Sequence, residues 1–212
     1  MTSEADALDA RRRHLVEVAA RLLATDGPHG LSLRRVATLA GGSTQMVYTL
    51  FGGKPGLGDA LYREGFRRLG AAMSHSADVH DALHAARPGA PVPSAGDPER
   101  LVALGHGYRR FALDEPAMFS VMFGRAIPGF TPTRGNRAAG RAETFGQVVA
   151  TAEHCLAAGT LVGDDALQLA RACWVTAHGL ASLELAGLLA VDDADGFADT
   201  VLRAPVDARR PR

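Results

Sequence analysis

Thr44, Gln45, Met46, Tyr48 and Thr49 fall within six consecutive positions and are all hydrogen-bonding or contact types, with no acid among them. A polyanionic duplex repels carboxylates, whereas hydroxyl and amide groups pair with phosphates and base edges, so this set suits contact with DNA. A second group, Tyr108, Phe111, Met118, Phe119, Met122 and Phe123, is rich in aromatic and thioether side chains. It reads as plain core or as the adaptable lining of an apolar ligand pocket. Trp174 and His178 are spaced i, i+4 on one helix face. They suit a core Trp packed against a hydrogen-bonded His, with direct ligand contact as the alternative. His154-Cys155 and Cys173…His178 lack zinc-finger spacing and a third partner, so neither thiol catalysis nor a metal is expected there.

The elements that must position these groups are helices. Leu15, Val18, Ala19, Leu22 and Leu23 form an amphipathic stripe that Asp26-Gly27-Pro28 ends. Ser32 can cap a short helix carrying Leu33, Val36, Ala37 and Ala40. Gly41-Gly42 breaks it, Ser43 caps a third helix with Val47 and Phe51 inward, and Gly52-Gly53 ends that one. Lys54-Pro55 opens a fourth helix with Leu61, Tyr62, Phe66, Leu69 and Met73 on its face. Two short helices around a glycine turn meet the physical requirement of a helix-turn-helix, whose second helix can enter a major groove.

Further along, residues 87–96 are rich in Pro, Gly and Ala and are expected to form a flexible loop. Asp97-Pro98 restarts a helix with Leu101, Leu104, Tyr108 and Phe111, and Glu115-Pro116 starts another. Residues 127–135 read as a loop. Two long helices are expected to follow, 136–158 and 164–189, with Gly179 allowing close helix approach in the second. No alternating strand pattern competes with these helices.

Composition agrees. Of 212 residues, 47% are hydrophobic and only 6% aromatic, and Ala and Leu abound, which favours an all-α fold over a sandwich. The 23 basic and 23 acidic residues cancel, so net charge alone announces no nucleic-acid partner. The first fourteen residues are charged without an apolar run, and charged residues or His interrupt every apolar stretch; a signal peptide and a membrane span are not expected. With two cysteines, reduced thiols and a cytoplasmic location are expected.

The run from Ala40 to Lys54, with Leu31–Ala37 before it, resembles the helix-turn-helix of TetR regulators across residues 15–69. The resemblance implies roles by position. Ser32, Tyr48 and Lys54, the only lysine in the chain, match phosphate contacts, and a helix N-terminus at Lys54 favours an anion. Arg34 matches a position that reaches a base edge, where Arg suits guanine. Thr44, Gln45 and Thr49 match recognition-helix positions. Gly42 and Leu50 depart from the pattern, standing where Val and a polar residue are common; Gly42 is expected to loosen the turn. The segment Trp174–Leu180 resembles the Trp-x-x-x-His-Gly signature of one C-terminal domain class of TetR regulators, and Tyr108–Phe119 also resembles that class.

The resulting expectation is an all-α chain with a helix-turn-helix domain at 9–54 and a C-terminal helical bundle for ligand binding and dimerisation at 55–203. It implies a ligand-responsive repressor that binds a palindromic operator as a homodimer through its last two long helices. No cofactor, metal or enzymatic activity is implied. An apolar effector would lie against Phe66, Leu69, Met73 and Tyr108, and against Phe111, Met118, Phe119, Met122, Trp174 and His178. The alternative is a helical small-molecule-binding protein or enzyme that does not bind DNA.

Overall fold

The computed structural model describes residues 4–87, 94–124 and 126–211. Among these, the chain forms ten helices and no strand: α1 (Glu4–Gly30), α2 (Leu33–Leu39), α3 (Thr44–Phe51), α4 (Lys54–Ala85), α5 (Glu99–Asp114), α6 (Pro116–Phe123), α7 (Arg134–Glu143), α8 (Phe145–Ala157), α9 (Ala166–Leu185) and α10 (Ala194–Asp207). The chain is therefore all-α. It divides into two compact units, one of residues 1–66 and 115–140, the other of residues 67–114 and 141–212. Helix α4 contributes its first part to one unit and its remainder to the other.

In the first unit, α1 buries Leu15, Val18, Ala19, Leu22 and Leu23, the stripe its spacing dictates, and packs on α2 and α6. It begins at Glu4, about three turns before the first residue of that stripe. Gly27 interrupts it at φ 68°, ψ −177°, a conformation outside the helical region that glycine adopts without a Cβ clash. The aromatic residues of this unit pack together: Phe66 lies 4.9 Å from Tyr62 and 5.6 Å from Phe123 between ring centroids, and Phe123 lies 4.8 Å from Phe119. Residues 127–133 are irregular, yet Ile127 and Phe130 are buried, with the Phe130 ring against Gly58.

In the second unit, α9 packs against α5, α8 and α10. Tyr108 is buried and meets the Trp174 ring edge-on at 5.0 Å, while Phe145 meets Trp174 from another side at 5.7 Å. The Tyr108 hydroxyl lies 2.7 Å from His178 Nδ1. Arg109 makes three hydrogen bonds of 2.7–3.0 Å to the Glu184 carboxylate and one of 2.8 Å to Asp195, tying α5 to α9 and α10.

Three expectations need correction. The helix expected over 136–158 is broken at Thr144, a fully buried residue at φ −115°, ψ −69°. The Gln147 side-chain amide donates to the Glu143 carbonyl, the group its backbone N–H would reach in a continuous helix, and that N–H instead donates to Thr144. The two long helices are also not the last, because α10 follows them. Asp193 caps α10 by accepting from Gly196 N–H, and Ala198, Leu202 and Val206 form its buried i, i+4, i+8 stripe. Finally, Gly179 packs closely on nothing: a Cβ there would meet no atom within 4 Å.

Within the expected loop, residues 88–93 lie outside the described residues. Its far end is anchored: Gly96 is buried, and its carbonyl accepts a hydrogen bond of 2.6 Å from the Thr160 hydroxyl. No described helix is long and apolar enough to cross a membrane.

Half-burial holds the His178 pKa below its ordinary value by disfavouring the charged ring. The unfolded chain therefore takes up a proton near pH 6.5 that the folded chain resists. Stability should be unaffected by this group well above pH 6.5 and should fall as the pH drops through that value. Asp199 acts in a different window: hydrogen bonding to Arg203 lowers its pKa, so its contribution is present above the ordinary carboxylate range and is lost below it. Thermal midpoints measured between pH 7.5 and 5.5 should decline more steeply for the natural chain than for His178→Gln, whose amide oxygen still accepts from Tyr108. Equal slopes would assign the decline to other groups.

Candidate nucleic-acid interface

Local capping builds the turn. Ser32 Oγ accepts from Arg35 N–H at 3.3 Å to start α2. Gly41, at φ 67°, ends it: Gly41 N–H donates to Thr38 and Gly42 N–H to Ala37, satisfying carbonyls that the helix end would leave open. Ser43 Oγ then accepts from Met46 N–H at 3.2 Å to start α3, and Gly52, at φ 69°, closes it with its N–H on the Tyr48 carbonyl. Of the eight residues of α3, Val47 and Phe51 are the buried ones.

This leaves the polar side chains outward. Gln45, Tyr48 and Thr49 are exposed, Tyr48 by 52%, while Thr44 and Met46 are intermediate. The Thr49 hydroxyl donates to the Gln45 carbonyl at 3.0 Å, so its methyl remains the group available for an apolar contact. On α2, Arg34 and the capping Ser32 are exposed. The Tyr48 ring rests on Gly53, where an added Cβ would lie 3.3 Å from Cε1. That contact sets the Tyr48 hydroxyl beside the start of α4, where Lys54 is half-exposed. First-turn N–H groups have no partner within their own helix, and Pro55 lacks one altogether. The start of α4 is seated tightly on the end of α3: a Cβ on Gly56 would lie 1.7 Å from the Phe51 carbonyl oxygen.

Several supporting residues escaped the sequence reading. Arg12 donates to the Leu50 carbonyl at 2.7 Å, and its guanidinium sits 4.7 Å from the Phe51 ring centroid, so α1 clamps the C-terminal end of α3. Arg11 points its Nε at the Met46 sulfur. Arg35 pairs with Asp26 and donates to the Gly30 carbonyl at 3.1 Å, bracing the α1–α2 connection. Met46, expected on the DNA side, has its methyl over Gly42, where a Cβ would lie 2.1 Å from it. The small residue at 42 is filled by the large one at 46, so the turn is packed and not loosened. Arg11, Met46, Ala40 and His14 line part of an open groove of about 410 Å³ beside the turn.

The residues expected around an effector divide between the units. Phe66, Met118, Phe119 and Met122 lie in the first, and Gly65 lets α4 approach there, since a Cβ would lie 2.6 Å from the Met122 sulfur. Leu69, Met73, Tyr108, Phe111, Trp174 and His178 lie in the second.

A helix-turn-helix with an acid-free, outward-facing second helix defines a module that reads duplex DNA. Comparison with known proteins agrees. Residues 15–61 match the family described as bacterial regulatory proteins of the tetR family, and residues 101–204 match the tetracyclin repressor-like C-terminal domain. The chain belongs to the TetR family of transcriptional regulators and is a DNA-binding regulator. No curated protein is similar in sequence. Among solved structures, a protein of unknown function from Rhodococcus sp. RHA1 is 29% identical, with a TM-score of 0.76 over 95% of this chain and 96% of that one. A TetR family transcription regulator from Marinobacter aquaeolei VT8 is 18% identical, with a TM-score of 0.64 over 96% of this chain and 97% of that one. A regulatory protein in the tetR family from Rhodococcus RHA1 is 18% identical, with a TM-score of 0.62 over the whole of both chains. At such identities these last two likenesses concern the fold alone.

Proposed function

We propose that the chain is a ligand-responsive repressor that acts in the cytoplasm and binds a palindromic operator as a homodimer, without catalysis. The outward face of α3 carries this reading: Gln45, Tyr48 and Thr49 are exposed, acid-free and flanked by Arg34 and Lys54. One short recognition helix offers few base contacts. Two of them, about 34–36 Å apart on successive major grooves, multiply the specificity.

The dimer is supported by a stripe on α9. Val175 and Leu183 are 67% and 45% exposed, and Gly179 lies midway between them with open space at its Cβ position. Residues at i, i+4 and i+8 share a helix face, and a glycine between two exposed aliphatics lets a second helix approach closely. With α8, this helix would form a four-helix interface with the partner. Leu183→Glu should convert the dimer to monomer in analytical ultracentrifugation and weaken operator binding with it; an unchanged dimer would place the interface elsewhere.

The effector would be a mostly apolar small molecule, with Phe66, Met118, Phe119 and Met122 of the first unit among its contacts. Release of DNA then requires tighter ligand binding to the DNA-incompetent state; a hundredfold difference corresponds to about 2.7 kcal/mol.

DNA contacts should separate by type. Lys54→Ala and Tyr48→Phe should weaken binding to all sequences alike, because phosphate contacts position the protein without reading bases. Gln45→Ala or Arg34→Ala should relax preference at particular base pairs, each costing about 1–3 kcal/mol where a bidentate contact is lost. Fluorescence anisotropy on a panel of single-base operator variants distinguishes the two patterns. Full affinity of Lys54→Ala on every duplex would remove the phosphate role.

A further inference from the structure

The end of α4 and the start of α5 bring together three groups that the DNA-binding function does not use. His80 and His84 are i, i+4 on α4, and Asp97 stands just before α5. Their ligating atoms all lie within 4.8 Å of one another, and each residue is half-buried. His80 Nε2 lies 3.1 Å from Asp97 Oδ2. Ligands about 2.0–2.1 Å from a tetrahedral zinc ion are roughly 3.3 Å apart, so this edge already has the required length. His84 closes the other edges by rotating its ring, which has no hydrogen-bond partner among the described residues.

The surroundings suit a cation. Asp97 is held in place because its other oxygen, Oδ1, accepts from Glu99 N–H at 3.0 Å; such a fixed orientation characterises metal-binding carboxylates. Asp81, next to His80, pairs with Arg100 through Oδ2 and thereby neutralises the cation nearest Asp97 in sequence. Its Oδ1 is buried without a hydrogen-bond partner among the described residues. Two carboxylates against one guanidinium leave a local excess of negative charge, while two imidazoles supply nitrogen donors. A simple His80–Asp97 hydrogen bond does not account for the second histidine beside it.

We infer that His80, His84 and Asp97 form a binding site for a divalent transition metal of the zinc type, with water completing the coordination. Two imidazoles and one carboxylate favour zinc, copper or nickel over magnesium, which prefers an all-oxygen octahedron. The bound ion joins the end of α4 to the start of α5 across residues 85–96.

Equilibrium dialysis of the metal-free, full-length protein against Zn2+ tests the site. The natural chain should take up one ion per chain, and excess Mg2+ should not displace it. His84→Ala should weaken uptake at least tenfold with an unchanged metal-free thermal midpoint. Asp97→Asn should do the same while retaining the cap on α5, since Asn caps as well as Asp. Zn2+ should raise the thermal midpoint of the natural chain and not that of either variant. No stoichiometric uptake by the natural chain, displacement by Mg2+, or equal uptake by His84→Ala would overturn the assignment.

Discussion

Arg109→Ala should destabilise the second unit by about 3–5 kcal/mol, the range for breaking a buried ion pair and leaving one charge behind. The side chains of Arg109 and Glu184 are only 12% and 11% exposed, and the guanidinium engages both carboxylate oxygens. Removing it leaves the Glu184 carboxylate buried with no compensating charge from Arg109. Asp195 contributes little, because its side chain is 91% exposed and water screens it. The double variant Arg109→Met, Glu184→Leu should recover most of the loss, since apolar groups of similar volume have no desolvation cost to offset. Urea denaturation followed by the fluorescence of Trp174, the chain's single Trp and a residue of α9, measures both. A loss near zero for Arg109→Ala would show that water relieves Glu184 and that the pair is not an anchor.

Gly56→Ala should act on the first unit. The added Cβ would lie 1.7 Å from the Phe51 carbonyl oxygen, and a backbone atom cannot swing aside as a flexible side chain does. Overpacking of this kind costs about 1–3 kcal/mol and displaces backbone. Here the displaced piece is the start of α4, with Lys54 and the neighbouring Tyr48 ring, so both groups proposed to contact phosphate move together. Operator affinity should fall at least tenfold while the Trp174 signal stays native. Gly42→Ala is the informative contrast. Its Cβ would meet the far end of the Met46 side chain, which can rotate away, so a smaller loss is expected. Equal affinity of Gly56→Ala and the natural chain would mean that the α3–α4 junction does not set the DNA-contacting groups.

The helix-turn-helix was legible because its punctuation is chemical and local. Ser32 and Ser43 cap, Gly41 and Gly52 adopt positive φ, and Val36, Val47 and Phe51 fall at core spacing. What the sequence concealed depends on partners distant along the chain. Nothing at Arg12 announces that it will reach the Leu50 carbonyl, and Gly42 looks like a packing defect until Met46 is seen to fill it. The break at Thr144 is hidden because Gln147 substitutes a side-chain donor for a backbone one, while the flanking Gly140 and Gly146 both lie inside helices and do not mark the break. Helix α10 was detectable: Asp193 and the stripe of Ala198, Leu202 and Val206 are ordinary start and face signals. The glycine at 179 has the opposite lesson. Its place on the helix suggested close helix approach, whereas a Cβ there would meet no atom of the chain within 4 Å.

Selection of bound sequences from random duplex DNA by the purified full-length protein, followed by a salt titration on the selected site, tests DNA reading most directly. An inverted repeat with half-sites about one helical turn apart is expected, as two symmetry-related α3 helices require. Its log affinity should fall linearly with log salt, by about 0.9 for each phosphate neutralised. Failure to enrich any sequence, or binding that does not weaken between dilute and physiological salt, would contradict the assignment of α3 and Lys54 to DNA.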